Sequence, residues 1–179
     1  AAPIYLALFM STVQSKTFKG LANSILGEES IMSKKAHGTC ATPPQGNLRW
    51  DVDSKTADRI CCFNRHYAER GGSWESTEFL DSESGEVEIT FYDSVSGKPL
   101  FAAPRGRSWL SFIQESKAHG WPSFRDEEVV YPGTVRVLSD GEVVSTDGTH
   151  LGHNLPDRSG NRYCINLVSV AGRPIQAEL

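Results

Sequence analysis

The sequence predicts a mainly β domain of short antiparallel strands. Residues 86–92 alternate Val87, Ile89 and Phe91 with polar neighbours, the period of a half-buried strand. Residues 135–138 and 142–144 flank Ser139-Asp140-Gly141, where Asp-Gly marks a hairpin turn. The run from Arg162 to Val170 is the longest β-rich stretch.

The remaining elements follow in order. Ser96-Gly97-Lys98-Pro99 reads as a turn. Residues 107–118 read as one helix, because Trp109, Phe112 and Ile113 fall on one helical face and Gly120 and Pro122 stop it. One or two short helices among many strands indicate an antiparallel β domain, placed at residues 57–179. Residues 1–56 read as an extended N-terminal arm. Residues 1–10 are apolar throughout and too few to span a bilayer, so they are expected to pack on the domain or to anchor against a membrane surface or a partner. Phe18, Leu21, Ile25, Ile31 and Met32 predict an amphipathic helix over 17–35. Residues 39–50, with two prolines and a glycine, read as a linker. A chain that begins at Ala suggests a processed terminus, and hence a soluble or peripheral product of import into a plastid or mitochondrion.

Composition excludes several classes. The 179 residues carry 18 Lys and Arg against 22 Asp and Glu, a formal charge of −4, which is not the footprint of a general nucleic-acid binder. Four cysteines are too few for a disulfide scaffold, and none forms a C-x-x-C pair of the kind that holds structural zinc. Cys61 and Cys62 are adjacent and cannot easily bond to each other. One of them can pair with Cys40 or serve as an exchange partner for Cys164.

Chemistry concentrates in the second half of the chain. On a strand, Arg162, Cys164 and Asn166 share one face and Tyr163, Ile165 and Leu167 the other. A cysteine between a guanidinium and an amide is not placed as a core filler, and a nearby positive charge favours the nucleophilic thiolate. Two histidines, His150 and His153, stand just before it and are suited to donate a proton to a departing oxygen. Metal binding by this pair with His119 or Cys164 is the weaker reading, because the spacing fits no common site. Trp121, on a tight turn between Gly120 and Pro122, is either a core anchor or the wall of a small apolar pocket.

Gly120–Phe124 (GWPSF), Thr149–His153 (THLGH) and Arg162–Asn166 (RYCIN), in that order, resemble the methionine-R-sulfoxide reductases, the MsrB or SelR domain family. Weaker echoes are Ser96–Phe101 and Thr77-Glu78; the resemblance spans about residues 65–172. It implies a fold of two antiparallel β-sheets and the reduction of methionine-R-sulfoxide, free or in proteins. It casts Cys164 as the nucleophile that becomes a sulfenic acid, and His150 and His153 as groups that protonate the leaving oxygen. Asn166 and Arg162 orient the substrate, while Trp121 and Phe124 bind it.

Departures from the family qualify this. The positions of its two zinc-binding pairs are Asp93 and Ser96, and Val144 and Asp147. Two carboxylates, a serine and a valine do not replace four thiolates, so no metal is expected. The resolving cysteine two residues before Trp121 is His119. Resolution is then expected from Cys61 or Cys62, from Cys40, or from an external thiol reductant such as thioredoxin or glutaredoxin. The helix over 107–118 looks like an insertion that reshapes the substrate groove. The alternative to an enzyme is an MsrB-like structural or assembly subunit of a larger, membrane-bound organellar complex, held through residues 1–56.

Overall fold

The computed structural model describes residues 25–176. The apolar segment 1–10 and the first part of the helix expected over 17–35 lie outside the described residues. Among the described residues the fold is mainly β, with two antiparallel sheets and three α-helices. The smaller sheet pairs β1 (Ile89–Tyr92) with β2 (Pro99–Ala103). The larger has the order β3-β7-β6-β5-β4, built from β3 (Ser123–Phe124), β4 (Val135–Val137), β5 (Glu142–Ser145), β6 (His150–Asn154) and β7 (Tyr163–Ile165). Its four pairings are all antiparallel. The helices are α1 (Ser54–Phe63), α2 (Phe79–Ser82) and α3 (Trp109–His119).

Local chemistry accounts for these elements. The expected helix over 107–118 is α3: the Ser108 side chain caps its start by accepting from Ser111 N, and Gly120 ends it in the left-handed region at φ 91°. Its Phe112 and Ile113 are buried against the strands. The Asp140-Gly141 hairpin is present, with Gly141 at φ 91°. In β1, Ile89 and Phe91 are buried, but Val87 is 73% exposed and the strand begins only at Ile89.

Three expectations are corrected. Residues 54–63 form α1, whereas strands were expected from residue 57. Asp53 caps its start, accepting from Thr56 N at 2.7 Å, and Ala57, Ile60 and Cys61 make a buried stripe at helical spacing. Residues 25–35 hold one 3-10 turn, Glu29–Met32, with Leu26 bridged to Val137, so no amphipathic helix continues through them. The β-rich run from Arg162 ends as a strand at Ile165 and turns into a 3-10 helix at Leu167–Ser169.

The described part of the arm is not separate from the domain. Ile25, Trp50 and Val52 belong to the main core with Phe79, Phe91 and Phe112. Met32 packs with Leu138 and Val144. The expected linker is bonded to α1: Cys40 and Cys62 form a disulfide, with Cα atoms 5.2 Å apart. Thr39 N donates to Cys62 O at 2.9 Å. Cys40, Cys61 and Cys62 then pack together against Val95.

Candidate active site

Register builds the site. Ser123 on β3 pairs with Cys164 on β7, Cys164 with His153 on β6, and His153 with Glu142 on β5. Residues directly opposite each other in antiparallel strands share a face. Ser123, Cys164, His153 and Glu142 therefore form one row across four strands, while Phe124, Tyr163 and Ile165 point into the core.

Two local features make this row work. Between Val143 and Val144 the β5–β6 register shifts, so Leu151 is an extra residue on β6. A regular strand would put His150 and His153 on opposite faces. The bulge turns both rings toward the same carboxylate side, 6.3 Å apart and edge to face. The second feature is Gly152, where a Cβ would lie 1.9 Å from the Cys164 carbonyl oxygen. Only glycine lets β6 and β7 approach this closely.

Cys164 is a half-buried free thiol. Arg162 Nη1 donates to its Sγ at 2.8 Å, and Ser123 Oγ lies 3.8 Å from it. A guanidinium held on the sulfur stabilises negative charge there. Arg162 is itself buried; its Nε makes no hydrogen bond and lies 3.7 Å from Asp157 Oδ2.

The two histidines differ. His150 is buried and its Nδ1 lies 3.0 Å from Glu142 Oε1. Arg65 donates to the same carboxylate from Nε at 3.3 Å and from Nη2 at 2.7 Å. Burial acts to raise the Glu142 pKa, but the hydrogen bonds and charges of His150 and Arg65 outweigh it and hold the carboxyl below its ordinary range. His153 is half-exposed, and burial together with the nearby His150 lowers its pKa below the ordinary histidine value.

Glu69, which no motif signals, holds the other side of the site. Its backbone carbonyl accepts from Trp121 Nε1 at 2.9 Å, and its N–H donates to Asn166 Oδ1 at 2.8 Å. Asn166 Nδ2 donates to Leu151 O at 3.0 Å, so both ends of its amide are engaged within the protein. Gly120 O accepts from Gly72 N at 2.8 Å, and a Cβ on Gly71 would meet the Trp121 ring at 3.4 Å. The half-buried indole is thus pinned between the 69–72 segment and Ser123, whose Oγ donates to Trp121 O at 3.0 Å. Burial raises the Glu69 carboxyl above its ordinary pKa, against hydrogen bonds from Val168 and Leu167 N–H.

The expected site residues thus divide. Cys164, Arg162, His153, His150, Trp121 and Asn166 are brought together. Phe124 stands apart from them: it is fully buried and stacks on Phe101 at 4.3 Å, because its neighbour Ser123 takes the thiol-bearing face of the sheet. The candidate resolving cysteines stand elsewhere. Cys40 and Cys62 are closed in their disulfide, and Cys61 is fully buried, its sulfur 3.7 Å from Ser169 Oγ and its pKa pushed up by burial. Glu69, Glu142, Ser123 and Asp157 were missed. The only sequence signal for Ser123 was its place inside GWPSF; Glu142 depends on a bulge, Glu69 on backbone contacts and Asp157 on ion pairs distant in sequence, none of which spacing reveals.

The positions that the resemblance matches to zinc ligands are Asp93, Ser96, Val144 and Asp147. Asp93 is buried, accepting from Thr149 Oγ1 at 2.9 and 3.0 Å and from Val95 N at 2.8 Å, and burial raises its pKa. Lys98 Nζ holds Asp147 Oδ1 at 3.0 Å, although Asp147 Oδ2 has no partner. Val144 is apolar and buried. Two further groups bring metal-ligating atoms together: His37, Asp58 and Cys62, and His66, Asp140 and Glu142. In the first the cysteine is disulfide-bonded, and in the second Glu142 is taken by Arg65 and His150.

Fold and site define a β protein that presents a half-buried thiol to a guanidinium, a hydroxyl, an imidazole pair and a pinned indole. The chain is similar to the peptide methionine sulfoxide reductase MsrB of Methanosarcina mazei, 34% identical over 91 residues. That match covers 45% of this chain and 64% of the relative, so the chain spans under two thirds of the relative's length. The similarity supports an MsrB-like family for the matched region. No family model matches the chain, and no solved structure matches it.

Proposed function

We propose that the protein reduces methionine-R-sulfoxide through Cys164. The observation that carries this reading is the cross-strand row Ser123–Cys164–His153–Glu142 with Arg162 on the sulfur. Its resemblance to a family of that activity and the MsrB similarity both support it. The Cys164 thiolate attacks the sulfoxide sulfur. His153 protonates the oxygen, which a thiolate cannot displace unaided, and His150, oriented by Glu142, supports the proton transfer. The oxygen passes to Cys164, leaving a sulfenic acid and the thioether. Trp121 walls the pocket for the methyl group that distinguishes the substrate. Arg162 holds the charge on sulfur, and Asn166 fixes the β6–β7 end and the 69–72 segment.

Regeneration uses an external thiol of the thioredoxin or glutaredoxin kind. One thiol condenses with the sulfenic acid, releasing water and forming a mixed disulfide; a second releases the Cys164 thiol and forms the external disulfide. The placement of the other cysteines, two bonded together and one buried, supports this reading. The reaction needs no resident metal, because the thiol, proton donors and apolar wall are all side chains.

The test is direct. The protein is incubated with dithiothreitol and each epimer of a dabsylated methionine sulfoxide. Turnover of the R epimer alone, lost in Cys164→Ser, is expected. Turnover of neither epimer by folded protein with a reduced Cys164 overturns the reading and leaves an MsrB-like scaffold.

A further inference from the structure

The Arg162 guanidinium that touches the thiol is itself held from a distance. Asp157 Oδ2 lies 3.7 Å from Arg162 Nε, and Arg125 grips Asp157 at two points, Nη1 to Oδ1 at 2.9 Å and Nη2 to Oδ2 at 2.8 Å. Arg125 Nη1 also donates to Asn161 O at 3.1 Å, which ties down the loop joining β6 to β7. Its far side pairs with Glu115 on α3. Glu115 pairs in turn with Arg107, which donates to the buried Glu128 at 2.7 Å. Charges of alternating sign thus run Glu128, Arg107, Glu115, Arg125, Asp157, Arg162 and end on Cys164 Sγ.

Most of this chain is shielded from water: the side chains of Arg107, Glu115 and Arg125 are 13%, 18% and 15% exposed. At such sites ion pairs are screened less and hold geometry better than surface pairs. A cleft of about 530 Å³ beside α3 is lined in part by Arg107, Glu115 and Arg125, and Cys164 is not among its lining residues.

We infer that Arg125 is a positioning residue for Cys164, acting through Asp157 and Arg162, and that Glu115 carries this support from α3. The helix thereby does more than fill space on the sheet. Without Arg125, Asp157 is free to swing toward solvent, and Arg162, whose Nε already lacks a hydrogen bond, loses the anion that aims it at the sulfur.

The inference rests on Cys164 being the attacking thiol, but its test does not require sulfoxide turnover. Iodoacetamide reads this sulfur, since Cys61 is buried and Cys40 and Cys62 are bonded to each other. The groups facing the sulfur are Arg162, Ser123 and, across the strand pair, His153. The alkylation rate constant and its pH profile are measured for the full chain and for Arg125→Met, Asp157→Asn, the double variant and Glu115→Gln, with thermal unfolding in parallel. Arg125→Met is expected to slow alkylation at pH 7 roughly three- to tenfold and to move the profile upward, with no further loss when added to Asp157→Asn. Glu115→Gln, which disturbs the fold least, is expected to move both in the same direction by less. A pH profile left unmoved by Arg125→Met and Glu115→Gln, or equal losses from Arg125→Met with and without Asp157, overturns the inference.

Discussion

His150 and His153 look equivalent in the sequence and are not equivalent in the molecule. His150 is buried on Glu142, whereas His153 is half-exposed beside Cys164 with its pKa lowered by burial and by His150. If His153 supplies the proton, its useful form is the protonated one, and that form is lost as pH rises through a value below 6.5. The expected result is a kcat for sulfoxide reduction that falls with rising pH at a midpoint under the ordinary histidine value. In His153→Gln that limb disappears and kcat drops on the order of a hundredfold. A profile unchanged by the substitution would assign the proton to another group. The sign for stability is opposite: a histidine with a depressed folded pKa contributes fully above 6.5, and that contribution is lost as pH falls through the folded value. At this scale the sequence was informative about identities. That Cys164 shares a strand face with Arg162 could be read from alternation, and that Trp121 sits on a tight turn from Gly120 and Pro122, but which histidine meets Glu142 depends on a bulge at Leu151 that alternation does not encode.

Among the elements, β1, β4, β5, the start of β7 and α3 were legible from periodicity and turn residues, whereas β2, β3 and β6 carry too short a pattern to be read as strands. The first helix was not legible either. Its buried stripe, Ala57, Ile60 and Cys61, spans little more than one turn and gives only a short helical period, and its clearer signal was the Asp53 cap. What the cysteines do was equally hidden, since spacing left Cys40 open to either neighbour. The Cys40–Cys62 bond fastens the 35–40 segment to the end of α1, and Cys40 Sγ rests 3.7 Å from Gly148 O at the β5–β6 turn. A bridge closing a loop of this length restricts the unfolded chain by about 3 kcal/mol. Cys40→Ser with Cys62→Ser should therefore lower stability by about that amount in chemical denaturation, and reduction of the parent chain should have the same effect. Since neither sulfur contacts Cys164, R-epimer turnover by the folded double variant should match that of the parent. A large loss of turnover at full folding would instead place this bond in the catalytic cycle.

At the scale of the whole molecule, two loops from different sheets must be held together, the 93–98 turn between β1 and β2 and the 144–149 turn between β5 and β6. Here side chains span the gap: Thr149 donates to the buried Asp93, and Lys98 pairs with Asp147. The disulfide packs beside them on Val95. A buried carboxyl is tolerable because it is hydrogen-bonded, and burial still raises its pKa, so Asp93 costs stability as pH rises from 3.8 through its folded value. These fasteners are long-range pairs, separated by 56 and 49 positions, and no local pattern in the sequence announces them. On the proposed metal-free reading, they supply the cross-sheet restraint by themselves. The expected outcome is that prolonged treatment with a strong chelator leaves the unfolding temperature unchanged. Added zinc should not raise it, since any ion bound to the folded state alone would stabilise by mass action. A chelator-dependent fall in unfolding temperature, reversed by zinc, would mean that Asp93 and Asp147 exchange their present partners for a metal and that the zinc-free reading of these loops is wrong.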